Sequence, residues 1–135
     1  MPVVWLPIRV YLEDTDAQGV VYNASYFRFM ERARTDWLRE QGIDHSTFDE
    51  QHGIAFVLAS IEARFKASGK LDDILQVSAE VSSLRGARAE FVQQVRRESV
   101  DGELLVEATA TVACIDRASG LPKRWPTNFA KELSA

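Results

Sequence analysis

An α+β domain, one long helix against one antiparallel sheet, is what this sequence predicts, and three observations carry that reading. Apolar residues recur at helical spacing from Tyr26 to Trp37. From Ile54 to Val112 the period changes to two. Turn signals at Arg85-Gly86 and Asp101-Gly102 then cut this second region into strands that double back on one another. The 135 residues suit a single domain spanning 1–135. A chain of that length buries about two-thirds of its unfolded surface, enough for a sizeable core.

In order along the chain, residues 4–13 alternate first. Leu6, Ile8, Val10 and Leu12 point one way, toward a core, and Trp5, Arg9, Tyr11 and Glu13 the other. Pro7 has no amide hydrogen, which predicts an edge strand. Residues 14–22 (D-T-D-A-Q-G-V-V-Y) break the alternation and read as a loop. Asn23 or Ser25 is expected to cap the helix that follows. Its stripe of Tyr26, Met30, Ala33 and Trp37 is widened by Phe27, Phe29 and Leu38, so the helix is predicted to be wrapped by other elements. Gly42 is its stop signal, and residues 46–51 suggest a short further turn.

Four strands follow. Ala55, Val57, Ala59, Ile61, Ala63 and Phe65 are expected to form one face of the first, and Leu75, Val77, Ala79 and Val81 one face of the second. Phe91 and Val95 anchor the third; Leu104, Val106, Ala108, Ala110 and Val112 anchor the fourth. Pro122 and Pro126 end the sheet, with a short last helix expected over Thr127–Leu133. One helix must cover one sheet face. The other face carries apolar and mixed residues, which predicts a homo-dimer or a dimer of dimers.

Composition narrows the function classes. The chain is 46% hydrophobic and 27% charged, an ordinary globular balance. A net charge of −4 lacks the basic footprint of a nucleic-acid binder. Cys114 is the single cysteine, so neither an intramolecular disulfide nor a thiolate metal cluster can form. Met1–Val10 has no basic leader before its apolar run, and no apolar stretch approaches the ~20 residues of a membrane span. These features predict a cytoplasmic location.

The segment from Glu13 to Tyr26 concentrates the chemistry. Glu13, Asp14 and Asp16 sit at a strand end, and a loop containing Gly19 leads into a helix start. The first amides of a helix lack partners and carry a partial positive charge. They suit a carbonyl oxygen that turns negative during acyl transfer. A nearby carboxylate could activate water or attack the carbonyl itself. Acidic residues in such loops also serve as solvated turn formers, and local chemistry alone leaves both readings open.

Other residues read more plainly. His45 and His52, even with Asp44, Asp49 and Glu50 nearby, match no zinc spacing, so no metal is expected. Cys114 falls in a strand pattern and reads as a buried small hydrophobe. Glu31 and Arg34, three apart on the helix, are expected to pair, with a site-supporting role for Glu31 as the alternative. Arg64, Lys66, Lys70, Arg85, Arg88 and the pair Lys123-Arg124 are basic residues near strand ends.

The run R-V-Y-L-E-D-T-D-A-Q-G-V-V-Y-N-A-S-Y at 9–26, then E-R-A-R-T-D-W-L at 31–38, resembles the hotdog thioesterases of the 4-hydroxybenzoyl-CoA thioesterase superfamily, in particular the acyl-CoA thioesterases associated with the Tol–Pal cell-envelope system. A-F-V at 55–57, L-D-D at 71–73 and S-L-R-G at 83–86 extend the resemblance over most of the chain. It implies the hotdog fold, a five-stranded antiparallel sheet around a central helix, working as a dimer or tetramer. It implies hydrolysis of an acyl-CoA to free acid and coenzyme A. Asp16 would be the catalytic carboxylate, as nucleophile or general base, and the Asn23 backbone amide the oxyanion donor. Asp14, Thr15, Gly19, Tyr22 and Glu31 are the supporting candidates around them. Apart from the resemblance, Arg64, Lys66, Arg85 and Arg88 suit the CoA phosphates, while each alone reads first as a charge guarding a solvated strand edge. No cofactor is implied, since coenzyme A is part of the substrate.

Two departures stand out. Relatives in that group commonly carry His where this chain has Asn23, and Pro-Ala where it has Ser68-Gly69. An Asn side chain cannot transfer protons, but the backbone amide is unaffected. Two alternatives stay open: a thioesterase for acyl groups on acyl-carrier protein, and a hotdog module that binds acyl-CoA without turnover.

Overall fold

A computed structural model describes residues 2–125; the last helix expected over 127–133 and Pro126 lie outside them. Strand β1 (Val3–Arg9) is followed by a 3₁₀ turn (Leu12–Asp14), helix α1 (Asn23–Glu40) and helix α2 (His45–His52). Strands β2 (Ile54–Phe65), β3 (Ile74–Arg85), β4 (Arg88–Arg97) and β5 (Leu104–Asp116) complete the chain. They form one antiparallel sheet in the order β1-β3-β4-β5-β2. Helix α1 packs on one face of it, and the fold is the expected five-stranded sheet on a central helix.

Strand β1 is an edge strand, as Pro7 requires. It ends earlier than the alternation suggests. The chain turns into 3₁₀ conformation at Leu12, which is 75% exposed and not a core residue. Val4, Ile8 and Val10 are buried.

The helix stripe is buried as its spacing predicts: Tyr26, Met30, Ala33 and Trp37 all lie in the core. The cap differs. Tyr22 is the N-cap with no side-chain cap bond, and Asn23 is already the first helical residue. The Ser25 hydroxyl donates to the Asp14 carbonyl at 3.1 Å and caps nothing. At the other end, the Gly42 amide donates to the Arg39 carbonyl and the Ile43 amide to the Leu38 carbonyl, the paired bonds of a Schellman stop. Trp37 anchors the core, its ring edge-on to Phe91 at 5.4 Å and its Nε1 donating to the Pro2 carbonyl. Trp37→Ala is expected to cost about 3–5 kcal/mol of stability, the range for an aromatic truncated in a packed core, read by chemical denaturation.

Strand β2 does not keep one parity. Ala59 is a bulge: Leu58 pairs with Val112 and Ser60 with Thr111. Register therefore puts Ile54, Phe56 and Leu58 on the helix side with Ile61, Ala63 and Phe65, while Ala55 and Val57 fall on the outer face. Leu75, Val77, Ala79 and Val81 of β3 are all fully buried, as expected. The β3–β4 hairpin closes through Gly86 and Ala87, between the paired Arg85 and Arg88. The β4–β5 connection is a longer loop than the Asp101-Gly102 signal suggests. A Cβ on Gly102 would sit 1.8 Å from the Arg97 carbonyl oxygen, so only glycine fits there. The outer face of the sheet is more polar than expected, carrying Gln76, Glu80, Gln94, Glu107 and Thr109 beside Trp5 and Val92.

Candidate active site

The loop between β1 and α1 is folded back on itself. Thr15 bridges Val21, the Asp16 amide donates to the Val20 carbonyl, and the Gly19 amide donates back to the Asp16 carbonyl. Gly19 has φ +80°, a conformation suited to glycine, at the turn of this loop. The Asp16 side chain is exposed, and its Oδ1 accepts the Gln18 amide at 2.8 Å. This is an Asx turn, which fixes the carboxylate's direction while leaving Oδ2 without a partner among the described residues.

Asp14 ties this loop to α1. Its carboxylate is buried, accepts the Tyr11 amide at 2.9 Å and lies 3.4 Å from the Arg28 guanidinium. Its carbonyl accepts the Tyr22 amide as well as the Ser25 hydroxyl. Arg28 also donates to the Ser25 hydroxyl at 3.2 Å. The Thr15 hydroxyl donates to the Leu12 carbonyl, closing the 3₁₀ turn from below. Asp14 and Thr15 thus shape the loop. Ser25 and Arg28 belong to the same clasp, and sequence reasoning missed both, because a Ser and an Arg in the first helical turns look like a cap and a solvated charge.

A second set of contacts seats the loop on the sheet. The Val21 amide donates to the Gly69 carbonyl, Val20 bridges Lys70, and the Tyr26 hydroxyl accepts the Gly69 amide at 2.9 Å. Ser68-Gly69, the second departure, therefore sits in a loop held by both of its Gly69 backbone groups. Burial raises the Tyr26 hydroxyl's pKa, an effect partly offset by the Gly69 bond and by Arg97. Asn23 follows at the start of α1, exposed, and its amide has no acceptor among the described residues. Tyr22 is 57% exposed beside it. The loop thus brings an exposed carboxylate and an unpaired helix-start amide to one end of the sheet. That pair can hold a carbonyl oxygen and supply a nucleophile or base.

The basic residues divide. Arg64 pairs opposite Glu107 on the outer face, and the Lys66 amine lies 3.5 Å from Glu107, so nearby carboxylate charge offsets both. Arg85 and Arg88 are at the far end of β3 from the loop, roughly 36 Å along a strand of this length at about 3.3 Å per residue. Lys70 is the basic residue whose backbone pairs with the loop. Glu31 is exposed, and Arg34 does not pair with it: its Nη1 donates to the Gln93 Oε1 at 2.9 Å. His45 packs edge-on against Phe56, and among the described residues no three His, Cys, Asp or Glu side chains gather as a metal site. Cys114 is buried, and desolvation raises its thiol pKa against a smaller opposing pull from Lys123. Among the described residues no helix is long and apolar enough to cross a membrane.

The comparisons agree with this architecture. The model of the thioesterase-like superfamily matches residues 10–133. Acyl-CoA thioesterase YbgC of Haemophilus influenzae is 43% identical over 129 residues, which cover 96% of this chain and 90% of that protein. The crystal structure titled "Probable Thioesterase from Bartonella henselae" is 32% identical with a TM-score of 0.85, covering 93% of this chain and 100% of that one. The DHNA-CoA thioesterase from Staphylococcus aureus shares the fold, with a TM-score of 0.90 at 22% identity over 99% of this chain and 90% of its own. With the sheet, the enclosed helix and a family match over nearly its whole length, the chain belongs to the thioesterase-like superfamily and has its hotdog fold.

Proposed function

We propose that this protein hydrolyses acyl-CoA thioesters to free acid and coenzyme A, with Asp16 as nucleophile or general base and the Asn23 backbone amide as oxyanion donor. The observation that supports the reading is the clasped loop, which carries an exposed Asp16 and runs into a helix start whose first amide has no acceptor among the described residues. In this scheme the thioester oxygen sits on the Asn23 amide, where developing charge meets a fixed donor and the helix dipole. Asp16 attacks the carbonyl or takes a proton from water, and the CoA thiolate leaves. The relative named acyl-CoA thioesterase supports the substrate class.

The assembly follows from the sheet edges. Among the described residues strand β2 has a free edge, and residues 57–60 along it are exposed, with no charge in the strand before Glu62. Edges of this kind are normally paired or guarded. A two-fold pairing of β2 with its copy is antiparallel, so it sets the loop end of one sheet beside the Arg85–Arg88 end of the other. Those arginines would then meet CoA phosphates at a neighbouring subunit's site. Light scattering at micromolar concentration is expected to give a dimer or tetramer; a fully active monomer would rule this arrangement out.

The test of the activity is release of free thiol from a panel of short, long and aromatic acyl-CoAs, run beside acyl groups on acyl-carrier protein. Turnover of the CoA donors is expected. Turnover confined to the carrier-protein donors would move the substrate class to that carrier. Binding of acyl-CoA with no thiol release would make the protein a non-catalytic acyl-CoA module.

A further inference from the structure

Arg34 is an arginine in the core. It is 7% exposed, and its bond to Gln93 is its one hydrogen bond among the described residues. Gln93 cannot turn away to serve anything else: its Nε2 donates to the Met30 and Ser78 carbonyls at 2.9 and 3.0 Å. A guanidinium has five N–H groups, so several remain to be satisfied. Among the described residues no fully buried side-chain nitrogen or oxygen lacks a partner, so these donors must reach open space. The space they reach is a cavity of about 160 Å³ between α1 and β2, of which Arg34 is part of the wall.

The rest of the wall gives that cavity a chemistry. Leu38, Phe56, Leu58, Phe91 and Val112 supply its apolar lining, and Glu31, Thr35 and His45 are its polar members beside Arg34. Its volume is about that of a pocket that holds a benzene-sized group. The guanidinium is desolvated there, which lowers its pKa, while Glu31 opposes that shift from beyond ion-pairing distance. A buried cation with unused donors gains from an incoming acceptor, most of all from a carboxylate that can take two parallel N–H bonds.

The cavity also shares a helix face with the proposed oxyanion site. Asn23, Phe27, Glu31 and Thr35 are spaced four apart and share one face of α1. Phe27 and Phe65 stand partly exposed along that face, edge to face at 6.2 Å. From Asn23 to Glu31 the helix rises about 12 Å at 1.5 Å per residue. An acyl chain whose carbonyl rests on the Asn23 amide would run past the two phenylalanines and end in the cavity.

We infer that the cavity takes the far end of the acyl chain, and that Arg34 selects acyl groups ending in a hydrogen-bond acceptor, a terminal carboxylate or hydroxyl, over methyl-ended chains of the same length. This rests on the thioesterase reading and adds the substrate's terminal chemistry to it. Arg34 is the specificity determinant, and Gln93 holds it in place.

The experiment compares kcat/KM for chain-matched acyl-CoAs ending in methyl, hydroxyl or carboxylate, at graded lengths such as hexanoyl, octanoyl and decanoyl. The wild-type protein is expected to prefer an acceptor-ended donor by about tenfold or more at the length that fits, the order expected when a buried polar group is otherwise left unpaired. Arg34→Met should bring that ratio near one, and Arg34→Lys should retain part of it. Leu58→Trp, on the cavity wall, should shift the preferred length to shorter chains, with light scattering confirming that the proposed β2 pairing is kept. Methyl-ended donors hydrolysed as well as their acceptor-ended counterparts, a ratio unchanged in a folded Arg34→Met, or an unchanged length profile in Leu58→Trp would each overturn the inference while leaving the thioesterase reading intact. Release of thiol from none of the donors would overturn both.

Discussion

Asp16→Asn is expected to lower kcat by about 10²–10⁴-fold, the range attributed to a lost general base, and to leave KM nearly unchanged. The substitution keeps size and shape and still lets the side-chain oxygen accept the Gln18 amide, so the loop should survive it. What it removes is the basicity and charge of the second oxygen. Because Asp16 is exposed and outside the core, circular dichroism and thermal denaturation should show a protein as stable as the parent. Asp14→Asn is the control. Asp14 touches the Tyr11 amide and Arg28, not the space in front of the helix, so its loss should act through loop position and cost less turnover than Asp16→Asn. Near-normal turnover in a folded Asp16→Asn protein would end the assignment.

Asn23 allows the backbone to be tested separately from the side chain. If the amide is the donor, Asn23→Ala should keep most of the activity. Asn23→Pro deletes the N–H itself. Proline is favoured at the first position of a helix, where the amide has no helical partner, so α1 should still form. The preceding Tyr22 has φ −66° and ψ 133°, already the conformation a residue before proline prefers. Loss of one oxyanion donor predicts a fall in kcat of about 10²–10³-fold for Asn23→Pro. An alanine variant as impaired as the proline variant would instead assign the role to the side chain.

Much of the fold is written in the periods. Tyr26, Met30, Ala33 and Trp37 place the helix, and Leu75, Val77, Ala79 and Val81 keep the alternation of β3 up to a register shift at Ser82. The errors come where a local feature resets the count. Nothing in the residues of β2 distinguishes a strand with a bulge at Ala59 from one without, so alternation alone puts Ala55 and Val57 on the wrong face. Leu12 continues the alternation of β1 on paper, but the chain has already turned to build the loop. The acidic loop stands out as a candidate because carboxylates, a glycine and a helix start coincide, though the same residues suit a solvated turn and only the family resemblance tips the reading. Arg34 was not, because a charged residue beside Glu31 reads as half of a surface pair. Two signals were nonetheless present: Arg34 lies four residues after Met30 and three before Trp37, inside the apolar stripe, and Gln93 falls at the buried parity between Phe91 and Val95.

The bulge makes β2 sensitive to length and indifferent to chemistry at one point. Ala59 has no cross-strand partner, so a serine or threonine there should change little. An in-frame deletion of the same residue is a different event. It would merge two half-strands of opposite phase into one continuous strand, and either Ile54 and Phe56 or Ile61 and Phe65 would be turned away from the helix. Among descendants of this gene, codon loss at that position should therefore be far rarer than codon change.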